Sequence, residues 1–220
     1  MAQYDEEGVI VYQAYNTTIA KYAVENKKFL GCPAFSPTRM TWIKTNFLWM
    51  MYRADWAEKD KNQSRILAIW LKRDRFEEML KHAVHSGYKT HIYGTQEQYN
   101  KAVSNSKRDP YGFVRLQWDP DHSPSGSPHP RRRAIQLGLK GVQSFVNGDD
   151  IIHIQDISDF VGEQRVKKLT QDLETPKEII YIPQNPEVSK HIDLHGYNVR
   201  PPQEEETTQE EETQQNPKND

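Results

Sequence analysis

Between residues 46 and 57 the chain reads Asn-Phe-Leu-Trp-Met-Met-Tyr-Arg-Ala-Asp-Trp-Ala. Asn46 can accept a hydrogen bond from an amide at a helix N-terminus, so a helix is predicted over 47–56. That helix carries Phe47, Leu48, Trp49, Met50, Met51, Tyr52 and Trp56 on almost every side. A helix apolar all round belongs in the middle of a domain, packed on several elements. The chain must fold around this segment. Any charge within it needs a partner or an opening, because an unpaired buried charge is strongly unfavourable.

That charge is Arg53. Just upstream, Arg39 and Lys44 flank the apolar run Met40-Thr41-Trp42-Ile43. If the run is a strand, Met40, Trp42 and Lys44 share one face. Cations set among tryptophans and methionines point to a phosphate-bearing ligand, since guanidinium forks match phosphate oxygens. The plainer alternative pairs Arg53 with Asp55 or a Glu and lets Lys44 extend to solvent along its methylene stem.

The surrounding pattern alternates short strands and helices. Strands are predicted over 9–15, 65–71, 113–118, 134–139 and 151–154. Helices are predicted over 16–26, 75–85, 97–103, 142–146 and 161–175, with a Pro/Ser/Gly loop over 119–130. This is an α+β pattern. It implies one domain with a mixed, mostly antiparallel sheet and helices packed against it. Residues 1–7 are expected to be a flexible N-terminus, 8–175 the globular domain and 176–200 an extended segment. Residues 201–220 hold six Glu and one Asp against one Lys, a net charge of −6, with no aliphatic or aromatic residue. Such a tail cannot repay its ordering entropy and is expected to be disordered. The first 200 residues then carry +4 of the chain's net −2.

The single cysteine, Cys32, excludes an internal disulfide and a multi-cysteine zinc site. No apolar run approaches the roughly 20 residues of a membrane span, and the acidic start lacks a signal core. The expectation is a cytosolic or nuclear protein without a membrane partner. Walker, GxGxxG, HExxH, CxxC and GxSxG motifs are all missing from the sequence.

The strings VYQAYN (11–16), RMTWIKTNFLWMMYRADWA (39–57), ILAI (66–69), VRLQWDP (114–120) and RAIQLGL (133–139) resemble the domain of unknown function 4291 family over roughly residues 8–165. That family has no established activity, so the resemblance implies a domain and no reaction. The order of strands and helices over 9–71 is also similar to the front half of ADP-ribosyltransferases and RNA 2'-phosphotransferases. That fold-level likeness implies a cleft between two small sheets and NAD as the cofactor to test. The His-Tyr-Glu and Arg-Ser-Glu patterns of those enzymes find no clear counterpart here.

Further candidates come from side-chain chemistry. Tyr12, Gln13 and Tyr15 lie on the first long strand. A Gln there can read a base or amide edge and a Tyr can stack, or all three can be satisfied core residues. Asp119 at a strand end is a candidate general base, with Gln117 beside it. Asp119, Asp121 and His122 can also be read as metal ligands, or as an ordinary Asp-Pro turn; no metal is expected. One of Arg131, Arg132 and Arg133, with Arg133 as the candidate, could enter the cleft beside Gln136; the run could instead contact the phosphate backbone of a nucleic acid or form a solvated edge that discourages sheet aggregation. His82 and His85, three apart on a predicted helix, could ligate a metal, but are read as helix-end residues.

These residues favour an enzyme that handles a nucleotide or nucleic acid, transferring ADP-ribose or phosphate in its sharper form. Lys44 and Asp119 are its catalytic candidates. Tyr12, Gln13, Tyr15, Arg39, Tyr52, Arg53, Gln117, Arg133 and Gln136 are its binding candidates. The partner is then a phosphate-bearing small molecule or RNA. The alternatives are a non-catalytic RNA- or nucleotide-binding module and an interaction adaptor.

Overall fold

A computed structural model of the protein describes residues 1–194. The strands are β1 (Gln3–Tyr4), β2 (Gly8–Tyr15), β3 (Thr41–Lys44), β4 (Arg65–Lys72), β5 (Ala83–His85), β6 (Phe113–His122), β7 (Pro128–Lys140) and β8 (Ile151–Asp156). The helices are α1 (Thr17–Asn26), α2 (Phe47–Arg53), α3 (Arg73–His82), α4 (Thr90–Tyr93), α5 (Gln96–Ser106), α6 (Gln143–Asn147), α7 (Ser158–Lys167) and α8 (Pro186–His191). The strands form one eight-stranded sheet in the order β5-β6-β7-β3-β2-β4-β8, with β1 beside β2. Only β5–β6 is parallel. The α+β class and the mostly antiparallel sheet expected from the sequence are present.

Alternation along the strands builds two cores. Val9, Val11, Ile43, Leu67, Ile69 and Leu137 face α1, α3, α6 and α8. Ile10, Tyr12, Ala14 and Ile66 face α2 and α7, where they meet Phe47, Met50, Met51, Trp56 and Val161. Shifting β2 by one residue would exchange these two sets.

The ladder between β2 and β3 is a single residue pair, Tyr12 with Lys44. By contrast β2 pairs with β4 over all eight of its residues, Gly8 to Tyr15. The sheet therefore has a weak seam at its centre, next to Lys44.

Several boundaries differ from the sequence reading. Helix α2 stops at Arg53 because Asp55, Trp56 and Ala57 all take positive φ, at 48°, 51° and 71°. That left-handed turn costs roughly 1–2 kcal/mol per residue. It drives the Trp56 ring into the core, where only 1% of the residue is exposed. The expected loop over 119–130 contracts to the tip of a long hairpin, since β6 and β7 pair from Phe113–Lys140 out to His122–Pro128. Pro120 sits where the register shifts, between Pro120 and His122, and Pro128 at the end of the ladder. Gly126 at the tip has φ of 84°, and a Cβ there would lie 2.8 Å from the Tyr52 ring. Helix α7 begins at Ser158 and ends at Lys167, short of the predicted 175.

Both ends of the chain body are more engaged than expected. In the segment 1–7, Ala2 bridges to Ile179, β1 pairs with β2, and Thr45 Oγ1 donates to the Met1 carbonyl at 2.8 Å. In the segment expected to be extended, Tyr181 and Val188 are buried, and α8 packs on α3. Residues 201–220 lie outside the described residues.

Sheet edge β5 is closed by side chains rather than by a strand. His191 Nε2 lies 2.7 Å from the Ala83 carbonyl, Tyr93 Oη accepts from His85 N, and Tyr99 Oη donates to His85 O. This removes the free backbone groups that make an edge a template for aggregation.

Candidate functional site

The pairing registers place Tyr12, Lys44, Gln136 and Gln117 in one row across β2, β3, β7 and β6. Paired residues point to the same face, and one step along β6 adds Asp119. Helix α2 covers the inner end of this row and brings Trp49, Tyr52 and Arg53 to its outer end. Asn46 starts that helix as the sequence suggested, accepting from Trp49 N at 2.7 Å.

Lys44 is 5% exposed. Its Nζ donates to the Trp42 carbonyl at 3.0 Å and to Gln13 Oε1 at 3.4 Å, both neutral acceptors. It also lies 5.0 Å from the centre of the Trp49 ring. Among the described residues it forms no ion pair. Burial pushes its pKa down from 10.5 to about 7, Arg53 adds repulsion, and Asp119 opposes the shift. Gln13 is on the opposite strand face from Tyr12 yet reaches Lys44, next to the one-pair seam.

Asp119 is half-buried, and burial raises its carboxyl above the usual range. Hydrogen bonds from Gln117 and Gln136, and the charges of Lys44 and His122, pull the other way. Gln117 Nε2 donates to Asp119 Oδ1 at 2.9 Å. The two glutamines thus orient a carboxylate beside a buried amine.

The outer wall is aromatic. Tyr52 stacks on His122 with ring centres 5.8 Å apart, and Trp49 meets His122 edge-on at 6.5 Å. Tyr52 Oη donates to the Pro124 carbonyl, which ties the wall to the hairpin tip. Gly138 faces Trp42, where a Cβ would come within 2.9 Å of the indole. Arg53 is exposed at the end of α2, and no carboxylate pairs with it among the described residues. The ion pair with Asp55 is not formed. The expectation that Arg53 is buried in the helix is also corrected, because the helix ends at that residue.

The structure therefore gathers Lys44, Gln13, Tyr52, Arg53, Gln117, Asp119 and Gln136. It keeps other candidates apart. Tyr12 pairs with Lys44 in the row, but its ring is taken up by the core, at 2% exposure and edge-on to Phe47. Tyr15 lies on the other face and shares a buried hydrogen bond with Thr41 Oγ1 at 2.9 Å. Arg39 is exposed on the turn before β3. Arg133 bonds main-chain carbonyls of His129 and Arg132, while its neighbour Arg132 pairs with Asp121 at 2.8 Å. Trp42, Trp49 and His122 were not among the binding candidates. Trp42 was legible from its two-residue spacing to Lys44, and Trp49 from its place one helical turn before Tyr52 and Arg53.

Asp121 belongs to a second polar cluster. Asn46 Nδ2 donates to Asp121 Oδ1 at 2.8 Å and to Glu178 Oε2 at 2.6 Å, and Glu178 Oε1 accepts from Phe47 N at 2.6 Å. Burial pushes the Glu178 carboxyl up to about 7, against those bonds. The described residues hold no group of three or more His, Cys, Asp or Glu arranged to bind a metal. No helix among them is long and apolar enough to cross a membrane. Two cavities, of about 390 and 510 Å³, lie beside α3 and β5, away from Lys44.

The family model described as "Domain of unknown function (DUF4291)" matches residues 1–187. No curated protein and no solved structure matches the chain.

Proposed function

The chain belongs to the DUF4291 family, and from that premise we propose that its Lys44 face binds the phosphate of a nucleotide or nucleic acid and acts on it. One observation carries this reading: a buried ammonium bonded only to neutral acceptors, with an unpaired guanidinium close enough to repel it. Two like charges held together, neither in an ion pair among the described residues and with Asp119 only partly offsetting the lysine, make a ready anion site. A phosphate entering beside Arg53 would relieve both. The Trp49 and Tyr52 rings offer stacking surfaces for a base or nicotinamide. Asp119, steered by Gln117 and Gln136, takes the proton from an attacking hydroxyl, while Lys44 stabilises charge developing on the phosphate oxygens. The seam between β2 and β3 supports the ADP-ribosyltransferase-like version, in which NAD lies along a parting of the sheet.

A thermal-shift screen against NAD, ADP-ribose, nucleotides and short RNA tests the proposal. A ligand at 100 times its Kd adds about 2.7 kcal/mol of stability. Lys44→Ala and Arg53→Ala are expected to remove the shift and still melt cooperatively. A folded variant that shifts like the parent removes that residue from the site. Binding of RNA alone, falling steeply with salt and without turnover, would instead favour a non-catalytic module.

A further inference from the structure

Residues 122–133, the end of the β6–β7 hairpin, carry three arginines, two histidines and no Asp or Glu. Arg132 is matched by Asp121 at 2.8 Å. Arg131 is exposed; Arg133 is half-buried and donates through Nη1 to the carbonyls of His129 and Arg132. Neither Arg131 nor Arg133 forms an ion pair among the described residues. From Ile135 toward the tip, β7 has only β6 as a ladder partner among those residues. Two guanidinium charges are therefore left over on a projecting arm.

The described chain ends beside that arm. Trp118 Nε1 donates to the Ile192 carbonyl at 2.7 Å. Trp118 is paired with Ile135, and Pro120, two residues on, is paired with Arg133. Two residues of strand span about 7 Å, so Arg133 lies about that far along the arm from the Trp118 anchor. The ten residues 195–204 reach up to about 33 Å when extended, several times the span required. They lead to Glu204-Glu205-Glu206 and then to Glu210-Glu211-Glu212, in a segment whose net charge is −6. A short tether holds such carboxylates at an effective concentration on the order of millimolar. At that concentration a contact with a millimolar Kd is already about half formed, and arginine forks match carboxylates as they match phosphates.

We propose that residues 204–212 dock on the Arg131–Arg133 tip of the hairpin, an intramolecular contact that masks these arginines from other polyanions. The contact does not depend on phosphate binding at Lys44, because it uses the far ends of β6 and β7.

Thr208→Cys, spin-labelled at position 208 in the full chain, tests the contact by NMR; Cys32, 4% exposed, stays buried. At low ionic strength the label should broaden the amides of residues 122–133 more than those of α1. The broadening should vanish at 1 M NaCl, where the screening length is about 3 Å. Adding Glu204→Gln, Glu205→Gln, Glu206→Gln, Glu210→Gln, Glu211→Gln and Glu212→Gln should remove it at low salt as well. Arg131→Ala combined with Arg133→Ala should reduce it at least threefold; should that pair fail to fold, the glutamine variant, which leaves the body untouched, decides alone. Lys44→Met should leave the broadening unchanged, which separates this contact from the site reading. A labelled ten-nucleotide oligouridylate, followed by anisotropy at low salt, should bind the glutamine variant at least threefold more tightly than the parent. No selective broadening of the tip overturns the proposal, as does broadening that survives the glutamine substitutions. Equal oligonucleotide affinities, or binding by neither protein, overturn the masking.

Discussion

Lys44 and Asn46 are two residues apart on one strand-to-helix turn, and both are buried, yet their surroundings are opposite. Asn46 caps α2 and donates to two carboxylates, Asp121 and Glu178. Asp121 is matched in turn by Arg132, and Glu178 by the Phe47 amide. The Met1 ammonium lies close by and donates to the Arg133 carbonyl at 2.8 Å. Charges here meet charges or donors, and the network ties β6, β7, α2 and the segment around residue 178 together. Lys44 instead presents a cation to a carbonyl and an amide, next to a second cation. A buried polar network with its partners in place is architecture; one with a charge left over is a candidate site.

The comparison can be broken most directly at Asn46. Asn46→Ala removes the cap, worth about 1 kcal/mol, and strips a donor from two buried carboxylates at about 1–3 kcal/mol. A loss near 3 kcal/mol in urea unfolding is expected. A loss below about 1 kcal/mol would mean that the network does not hold the fold.

Lys44→Met should behave in the opposite way. Replacing an unpaired buried charge by an apolar isostere leaves stability unchanged or raises it by up to about 2 kcal/mol, while binding of any phosphate ligand disappears. If it unfolds the protein as Asn46→Ala does, Lys44 is structural and the site reading fails.

Proton linkage sharpens the contrast, with a slope of at most about 1.4 kcal/mol per pH unit for one proton. Lys44 has a folded pKa lowered from 10.5 to about 7. Its contribution to stability is present above 10.5 and is lost as pH falls through about 7. Glu178 has a folded pKa raised from 4.5 to about 7. Its contribution is present below 4.5 and is lost as pH rises through about 7. Lys44→Met should therefore flatten the stability profile between pH 7 and 10.5, and Glu178→Gln between pH 4.5 and 7. Urea midpoints across pH measure both. Phosphate binding, which needs the charged lysine, should weaken by up to about tenfold per unit above pH 7.

The smallest effect is expected at Gln117. Gln117→Leu removes a donor from Asp119 and should raise its carboxyl pKa further, read by NMR titration of the carboxyl carbon. At a half-buried position the stability change should stay below about 1 kcal/mol. An unmoved titration would show that the glutamine does not steer Asp119.

Much of the scaffold was legible because local rules agree there. The cap at Asn46, the helix ending at Asn26 and the β-rich strand over 9–15 each rest on neighbouring residues and are present in the fold. The three-residue strand β5 was missed because its pairing with Val114–Leu116 is parallel and reaches across some thirty residues. The long hairpin was hidden by prolines that sit at its irregular end rather than outside it. Helix α2 was read three residues too long because nothing in Asp55-Trp56-Ala57 favours positive φ; the burial of Trp56 imposes it.

At the site, residue type alone named Lys44, Arg53, Asp119, Gln117 and Gln136, since amines, carboxylates and amides on apolar elements are rare enough to notice. Which of them meet was decided by register. Tyr12 with Lys44, Lys44 with Gln136 and Gln136 with Gln117 are pairings between strands distant in sequence, and a slip of one residue would turn the row to the other face. Burial also lay beyond sequence: Arg53 and Lys44 look alike in their strings, yet a helix end frees one and a sheet encloses the other. The sequence by itself determined an α+β domain wrapped around an apolar helix, because periodicity and capping act over a few residues. Only the tertiary structure decided which charge is left without a partner, because that depends on long-range pairing and on how much water each group keeps.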